Sequence, residues 1–385
     1  MTNLVQFPGL GLSFELNRVA FSIGGFSIYW YGVCIAFGIC LALALVLLSS
    51  MSGDQYGGSP KAVFEEMKKD PRFKGYHYVW AFSRPENYDV EGATKIKIDS
   101  PEYFRTALRA RIWITDVNIE RGLHFKKKKT IYLNTTHGTG PKKGGNAVSG
   151  RKDYDFSYVD IVCCDGQYTH DVLLDSYNAK EENLLWCGRP REDSLYELTE
   201  QDRKRVRQSI GIPEGKKAIL YMPTWREGTL ESLTPSVWEE KLGKDYIVLV
   251  RAHHFTKSKL ISEKGDFWRD VSDYPDVNEL YVASDILVSD YSSAFFDFGL
   301  LKKPMVCYAY DYDEFYKNYG LYFDLRQEFP NGVMSTEEET IDFILGMDYA
   351  SESKKCGEYC ATVVKHPCNA TKACVDRINE LCEER

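Results

Sequence analysis

The stretch Ile286-Leu-Val-Ser-Asp-Tyr-Ser-Ser-Ala-Phe-Phe-Asp-Phe-Gly-Leu-Leu301 contains an apolar run, a polar turn and a second apolar segment. The run Ile286–Ser289 is short and shows no polar alternation, which is typical of a parallel strand buried on both faces. The segment from Ser293 to Lys302 predicts a helix, because Ser293 stands where a helix N-cap belongs. A strand that leads directly into a helix is the repeating unit of α/β proteins.

The same alternation recurs along most of the chain, from about residue 53 onward. Helical stretches such as 59–69 and 199–210 separate short apolar runs, and this order predicts a doubly wound α/β fold. The candidate strands are His77 to Phe82, Lys95 to Ile98, Ile112 to Thr115, Thr130 to Leu133, Asp160 to Cys164, Leu184 to Cys187, Ala218 to Met222, Tyr246 to Val250, Ile286 to Ser289 and Met305 to Tyr308.

A charged stretch at 198–207, which follows Gly188-Arg-Pro190, divides the body into two halves. Two Rossmann-like doubly wound domains facing a cleft, preceded by a hydrophobic N-terminal helix, make a GT-B-like architecture. The predicted parts are a hydrophobic or membrane segment at 1–50, a Rossmann-like acceptor domain at 51–192, a Rossmann-like nucleotide-binding domain at 193–345 and a helical tail at 346–385.

The composition is that of a folded protein, with 44% hydrophobic and 27% charged residues among 385. The formal net charge of −8 excludes a global basic field, so we expect no nucleic-acid partner. The 11 cysteines form no Cys-x-x-Cys pair and lack the spacings of zinc sites. We therefore expect free thiols in a reducing cytosol and no metal ligands.

Residues 28–48 form an uncharged run, IYWYGVCIAFGICLALALVLL. A helix of this length crosses a bilayer, and the aromatic residues at its start are typical of a membrane interface. Basic residues follow the run closely, whereas only Arg18 precedes it, which predicts a body on the cytoplasmic side. The alternatives are a buried core helix, or a helix followed by a buried strand at 44–50.

Polar residues follow three strands of the second half, at the ends where doubly wound sheets bind ligands. Amides at a helix N-terminus bind phosphate well, so Ser292 and Ser293 are candidate phosphate contacts, unless they only cap the helix. The three strand ends are Tyr221-Met-Pro-Thr-Trp-Arg226, Leu249-Val-Arg-Ala-His-His254 and Val288-Ser-Asp-Tyr-Ser-Ser293.

Three charged side chains near these ends complete the predicted nucleotide site. The guanidinium groups of Arg226 and Arg251 suit bidentate phosphate binding, and the alternative for each is a surface ion pair. Asp297 lies one turn into the helix, where it is expected to accept hydrogen bonds from ribose hydroxyls. The alternative for Asp297 is a charge that complements the helix dipole.

A further cluster follows a strand of the first half, in the loop Asn134-Thr-Thr-His-Gly-Thr-Gly-Pro-Lys-Lys143. A histidine on a glycine-rich loop can meet substrate, and its ordinary pKa near 6.5 suits proton removal from an alcohol. We predict that His137 is the general base. Thr139 is predicted to contact substrate, and Lys142 and Lys143 to neutralise an acceptor phosphate.

With these residues the chain resembles the CDP-glycerol glycerophosphotransferase family of teichoic acid primases and polymerases, over about residues 51–385. The matching pieces occur in the family's order. They are Ser59-Pro-Lys-Ala62, Asp70-Pro-Arg-Phe-Lys74, Val79-Trp-Ala-Phe82, Thr136-His-Gly-Thr139, Gly188-Arg-Pro-Arg191, Met222-Pro-Thr-Trp-Arg226, Arg251-Ala-His253, Ser289-Asp-Tyr-Ser-Ser293, Phe296-Asp-Phe298 and Gly320-Leu-Tyr-Phe-Asp324.

The resemblance implies transfer of glycerol phosphate, or a similar polyol phosphate, from a CDP-alcohol to an acceptor hydroxyl. It implies two essential histidines, His137 and His253, and a donor held by the C-terminal half through Thr224, Arg251, Ser292 and Ser293. The implied partners are CDP-glycerol or another CDP-alcohol, a lipid-linked or polymeric acceptor, and the cytoplasmic face of the cell membrane. No cofactor is required, and Mg²⁺ assistance stays open.

The first 48 residues resemble the N-terminal membrane segment of prolipoprotein diacylglyceryl transferases, whose catalytic segments have no counterpart here. Two other functions stay open for the whole chain. One is a GT-B glycosyltransferase that uses a nucleotide sugar, and the other is a catalytically inactive, membrane-tethered binding module. CMP release would indicate glycerophosphate transfer, whereas release of a nucleoside diphosphate would indicate a glycosyltransferase.

Overall fold

A computed structural model of the protein describes residues 2–7, 12–17, 19–30, 45–224, 233–252, 266–365 and 369–385. The first of these residues form two separate antiparallel hairpins. In the second hairpin the side chains of Ile23 and Phe26 are 65% and 81% exposed. The paired strands are β1 (Thr2–Phe7) with β2 (Leu12–Asn17), and β3 (Val19–Ile23) with β4 (Phe26–Tyr29).

The predicted hydrophobic N-terminal helix is not found among the described residues. The uncharged run begins within β4 and ends within a buried strand, β5 (Leu45–Ser49), and its middle, 31–44, lies outside the described ranges. No helix in the described part of the chain is long and apolar enough to cross a membrane. The helix therefore stays a prediction. A strand buried on both faces is as uncharged as a membrane helix, so the residues of β5 fit either structure.

The first domain contains a seven-stranded parallel sheet with the order β7-β6-β5-β8-β9-β10-β11. The chain runs outward from β5 to β7 and then returns to the other side of β5, so the order reverses between β5 and β8. Ligands of doubly wound sheets bind at such switch points. The remaining strands are β6 (His77–Phe82), β7 (Ala93–Lys97), β8 (Ile112–Thr115), β9 (Ile131–Asn134), β10 (Ile161–Cys164) and β11 (Leu184–Trp186).

The second domain repeats this topology with a six-stranded parallel sheet of order β14-β13-β12-β15-β16-β17. Its switch point lies between β12 and β15. The two domains are therefore both Rossmann-like, and the α/β part of the predicted fold is confirmed. The strands are β12 (Lys217–Met222), β13 (Tyr246–Val250), β14 (Trp268–Asp270), β15 (Ile286–Ser289), β16 (Met305–Tyr308) and β17 (Val333–Met334).

Helices follow the strands and cover the two sheets. Several begin with a side-chain N-cap. Ser100, for example, accepts a hydrogen bond from the Tyr103 amide. In the first domain they are α1 (Gly58–Lys69), α2 (Pro101–Arg109) and α3 (Gln167–Tyr177). The others are α4 (Asp193–Glu197), α5 (Glu200–Ser209), α6 (Pro235–Leu242), α7 (Val277–Ala283), α8 (Ala294–Gly299), α9 (Tyr312–Tyr319), α10 (Leu325–Glu328), α11 (Glu337–Gly346), α12 (Tyr349–Val363) and α13 (Ala370–Glu384).

The predicted C-terminal tail is divided between the domains. Helix α12 packs against α8 and β16 of the second domain, whereas α13 returns to α1, β9 and β10 of the first. There Val375 and Ile378 are buried in the same core as the central strand residues Val46 and Leu48. The last helix of the chain, α13, therefore completes the core of the first domain.

We expect Ile378→Ala to destabilise the first domain by about 2–5 kcal/mol, because it removes a fully buried side chain and leaves a cavity. Glu383→Ala on the exposed face of the same helix should change the free energy of unfolding by less than about 0.5 kcal/mol. Urea unfolding followed by tryptophan fluorescence measures both. Equal effects would contradict the placement of α13 on the first sheet.

Candidate active site

The loop that carries His137 reaches across the cleft to the second domain. It leaves β9 through a turn in which the Asn134 side chain accepts a hydrogen bond from the Thr136 amide at 2.9 Å. A Cβ atom on Gly138, whose φ is +123°, would lie only 2.8 Å from Ser293 Oγ, and one on Gly140 only 2.8 Å from the Ser293 amide nitrogen. Glycine therefore allows the loop to contact the beginning of α8 directly.

His137 itself is exposed and lines a small pocket together with Asp116, the residue that follows β8 at the first switch point. The surrounding protein displaces water and lowers the pKa of His137, and the positive charges of Arg191 and Arg189 act in the same direction. The Asp116 carboxylate acts in the opposite direction and favours the imidazolium. The net result is a solvent-accessible imidazole that is mostly neutral at pH 7.

Asp116 is held by the first residues after β5. Its carboxylate accepts hydrogen bonds from Ser50 Oγ at 2.7 Å and from the Met51 amide at 2.8 Å. Burial raises the pKa of Asp116, while these two donors and the nearby His137 oppose the rise. The two strands that flank the switch point thus place a fixed carboxylate beside the candidate base.

The rest of the loop pairs with the second domain. The Tyr322 amide donates to the Pro141 carbonyl at 2.8 Å, and the Lys143 amide donates to the Gly320 carbonyl at 3.1 Å. Lys142 Nζ lies over the ring of Tyr319 at 4.8 Å from its centroid. Its role in neutralising an acceptor phosphate stays a prediction. Thr139 is buried in the wall of the small pocket beside His137, where its predicted contact with substrate stays a prediction.

At the second switch point, Asp290 joins the ends of β12 and β15. Its Oδ1 accepts hydrogen bonds from the Thr224 amide at 2.8 Å and from the Tyr291 amide at 2.7 Å. Thr224 Oγ1 is buried and has no hydrogen-bond partner among the described residues. A buried hydroxyl without a partner is costly, so this group is suited to bind a ligand.

Ser292 and Ser293 lie at the beginning of α8, as predicted. Ser292 Oγ accepts a hydrogen bond from the Ala294 amide at 3.1 Å, and Ser293 makes no side-chain capping bond. Both residues are partly exposed, and Ser293 contacts the His137 loop. The structure thus brings the predicted phosphate contacts and the predicted base to one place.

Arg251 has partners other than the predicted phosphate. Its Nη1 donates to the main-chain carbonyls of Tyr274 at 2.7 Å and Val271 at 3.2 Å. Burial lowers the pKa of Arg251, and a guanidinium in this position braces the segment after β14. Arg226 and His253, the two remaining predicted residues, lie outside the described ranges.

Asp297 also differs from its predicted role, because it takes part in a buried ionic network between the domains. Both of its oxygens accept from Arg191 Nη2 at 2.9 Å, and Oδ1 lies 3.3 Å from Arg189 Nη1. Burial raises the pKa of Asp297, but the two arginines outweigh burial and hold it below the ordinary value. Its carboxylate is therefore committed to protein cations rather than exposed to ribose hydroxyls.

Arg189 is the centre of this network. Its guanidinium is 1% exposed and pairs with Asp165, which follows β10, and with Glu192 at 3.1 Å. Arg191 extends the network to the loop, because its Nη1 donates to the His137 carbonyl at 2.9 Å. A continuous chain of charged contacts therefore links α8 of the second domain to the candidate base of the first.

Sequence reasoning missed Asp116 and the role of the two arginines. Asp116 directly follows a predicted strand, so the rule used for the second half would have found it. Arg189 and Arg191 were part of a matched motif, but the sequence does not show that they meet Asp165 and Asp297, which lie 24 and 108 residues from Arg189.

Two Rossmann-like domains that place polar groups of both on one cleft define a GT-B-like group-transfer fold. The chain belongs to the CDP-Glycerol:Poly(glycerophosphate) glycerophosphotransferase family, whose model matches residues 35–366.

Relatives with assigned functions agree with this membership. The chain is 31% identical to a teichoic acid poly(glycerol phosphate) polymerase of Staphylococcus epidermidis over 75% of its length, but spans only 43% of that protein. It is 30% identical to a teichoic acid glycerol-phosphate transferase of Staphylococcus aureus, covering 79% of this chain and 84% of the relative. The solved wall teichoic acid polymerase TagF matches with a TM-score of 0.78 and 25% identity, covering 92% of this chain and 96% of that one.

We expect Arg189→Met to destabilise the protein by about 3–5 kcal/mol at pH 7.5, because it leaves buried carboxylates without their cation. Without Arg189 these carboxylates take up protons more readily, so the deficit should shrink at pH 5.5. Arg205→Met, which removes an exposed ion pair with Glu279, should have a much smaller effect on the free energy of unfolding. Chemical unfolding of both variants at the two pH values measures these losses of stability. Equal losses in the two variants, or a loss in Arg189→Met that does not shrink at pH 5.5, would contradict the network.

Proposed function

We propose that this chain transfers glycerol phosphate, or a similar polyol phosphate, from CDP-glycerol to an acceptor hydroxyl and releases CMP. The reaction would serve the synthesis of teichoic acid or a related cell-surface polymer. Membership of the family over residues 35–366 is the observation that carries this proposal. The acceptor is proposed to be a lipid-linked or polymeric glycerol phosphate.

The proposed chemistry begins with the neutral imidazole of His137. It takes the proton of the acceptor hydroxyl, and the Asp116 carboxylate stabilises the imidazolium that forms. The acceptor oxygen attacks the β-phosphorus of the donor in line. The bond from this phosphorus to the oxygen bridging the two phosphates breaks, and CMP leaves with the electron pair.

The second domain is proposed to hold the donor. The proposed diphosphate contacts are the amides at the beginning of α8, the hydroxyls of Ser292 and Ser293, and the Thr224 hydroxyl, which has no partner among the described residues. Arg226 and His253 are proposed to complete this site. Phosphoryl transfer depends mainly on positioning and electrostatic stabilisation, so a cleft closed by the His137 loop suits it.

The direct test is CMP release from CDP-glycerol in the presence of a lipid-linked glycerol-phosphate acceptor, with and without EDTA. Acceptor-dependent CMP release supports the proposal, and retention of the rate in EDTA supports a reaction that does not require Mg²⁺. A glycosyltransferase breaks a carbon–oxygen bond and leaves a nucleoside diphosphate, so formation of such a product from a nucleotide sugar would replace the proposal. Absence of nucleotide binding by folded protein would favour the inactive module.

We expect His137→Asn to lower kcat by about 10²- to 10⁴-fold, because it removes the general base. The KM for CDP-glycerol should change little, since the donor binds the other domain. His77→Asn, at the exposed start of β6, is the matched control and should keep normal turnover. Normal turnover in His137→Asn would show that this residue is not the base.

The pH profile gives a second test of the same assignment. Because the pKa of His137 is lowered, the midpoint of the acid limb of kcat/KM should lie below 6.5, the ordinary pKa of histidine. Asp116→Asn removes a charge that favours the imidazolium, so it should move this limb to still lower pH and reduce kcat. A limb above pH 6.5, or one that Asp116→Asn moves upward, would contradict the proposed pair.

We also propose that the protein works at the cytoplasmic face of the cell membrane, with the β3–β4 hairpin facing lipid. Ile23 and Phe26 on its tip are largely exposed, and isolated two-stranded hairpins are marginally stable in water. Flotation with phosphatidylglycerol vesicles should show binding that Ile23→Ser with Phe26→Ser weakens about tenfold or more. Trp186→Ser, at an exposed aromatic site elsewhere, is the control. Equal flotation of both variants would reject the hairpin as the contact.

A further inference from the structure

Three cysteine thiols from distant parts of the chain meet in the core of the first domain. Cys163 lies on β10, Cys187 follows β11 and Cys374 lies on α13. Cys374 Sγ is 3.4 Å from Cys163 Sγ and 4.0 Å from Cys187 Sγ, and all three sulfur atoms lie within 4.8 Å of one another. Among the described residues, no other group of three or more His, Cys, Asp or Glu side chains is close enough to share a metal ion.

The sulfur separations fit a shared cation. A thiolate binds zinc at about 2.3 Å, which places two sulfur ligands of a tetrahedral ion about 3.8 Å apart. The observed distances bracket this value, so small side-chain rotations would complete a three-sulfur face. The main-chain oxygen of Gly188 lies 3.2 Å from Cys187 Sγ and is a candidate for the fourth ligand.

We propose that Cys163, Cys187 and Cys374 form a structural site for a divalent thiophilic cation of the Zn²⁺ and Cd²⁺ class. Three thiolates around a divalent ion leave one net negative charge, whereas a monovalent ion would leave two. Apolar surroundings therefore favour the divalent ion. The three cysteines are much more widely separated in the sequence than the ligands of zinc ribbons. Cys374 lies on α13, which returns to the first sheet only after the whole second domain.

Binding at this site exchanges protons for metal. Three sulfur–hydrogen bonds break, three metal–sulfur bonds form and three protons leave for solvent. Hydrogen bonding among the thiols, together with burial, raises the pKa of Cys163, so this thiol is protonated at neutral pH when no metal is bound. Metal affinity should consequently rise with pH. The bound ion would fasten the C-terminal helix to the sheet that presents the His137 loop.

The test is the metal content of protein produced in zinc-supplemented medium and purified without chelators. We expect about one zinc per chain in the unmutated protein and at least tenfold less in Cys163→Ala and Cys374→Ala. Cys164→Ala is the matched control, since Cys164 is buried on the other face of the same strand, and it should keep its zinc. Circular dichroism confirms that each variant is folded.

A second test uses the unmutated protein alone and measures the binding of Cd²⁺. Exchange of zinc for Cd²⁺ should give the ultraviolet thiolate-to-cadmium charge-transfer band at one equivalent per chain, and should raise Tm. Lack of zinc together with lack of this band would overturn the proposal. Equal metal content in Cys164→Ala and Cys374→Ala would overturn it as well.

Discussion

The contact of Arg191 with both domains is the interaction on which the candidate site depends. Its guanidinium binds the Asp297 carboxylate on α8 and the His137 carbonyl on the facing loop. Arg189 fixes the same carboxylate from within the protein. Because these groups are buried, each charge requires its partner, and the partners hold α8 at a fixed place relative to the base. Two glycines then allow the loop to reach Ser293.

The repeated topology explains why each domain contributes polar residues to the cleft. In both sheets the order reverses next to the first strand, and the residues after the flanking strands face the opening. Asp116 occupies this position in the first domain, and Asp290 in the second. Asp116 lies beside the candidate base, whereas Asp290 orders the turn that presents Thr224. The same fold thus supplies a proton acceptor on one side and an anion-binding surface on the other.

Local pattern predicted the elements of the fold better than it predicted side-chain partners. The bounds of β8, β13, β15 and β16 agree with the predicted strands, because a short apolar run between two turns is typical of a buried strand. The end of the uncharged run at 28–48 forms the buried strand β5 rather than part of a helix, since burial in a sheet and burial in lipid select the same residues. Arg251 was placed after the right strand and Asp297 within the right helix, but their partners come from segments that only the tertiary fold brings near.

In the proposed mechanism, one cleft joins a donor site on the second domain to a base on the first. The most direct measurement is a crystal structure of the His137→Asn variant soaked with CDP-glycerol. We expect the diphosphate at the beginning of α8, near Ser292, Ser293 and Thr224, with the glycerol phosphate directed toward residue 137. A donor bound elsewhere, or bound with its glycerol phosphate directed away from the first domain, would contradict it.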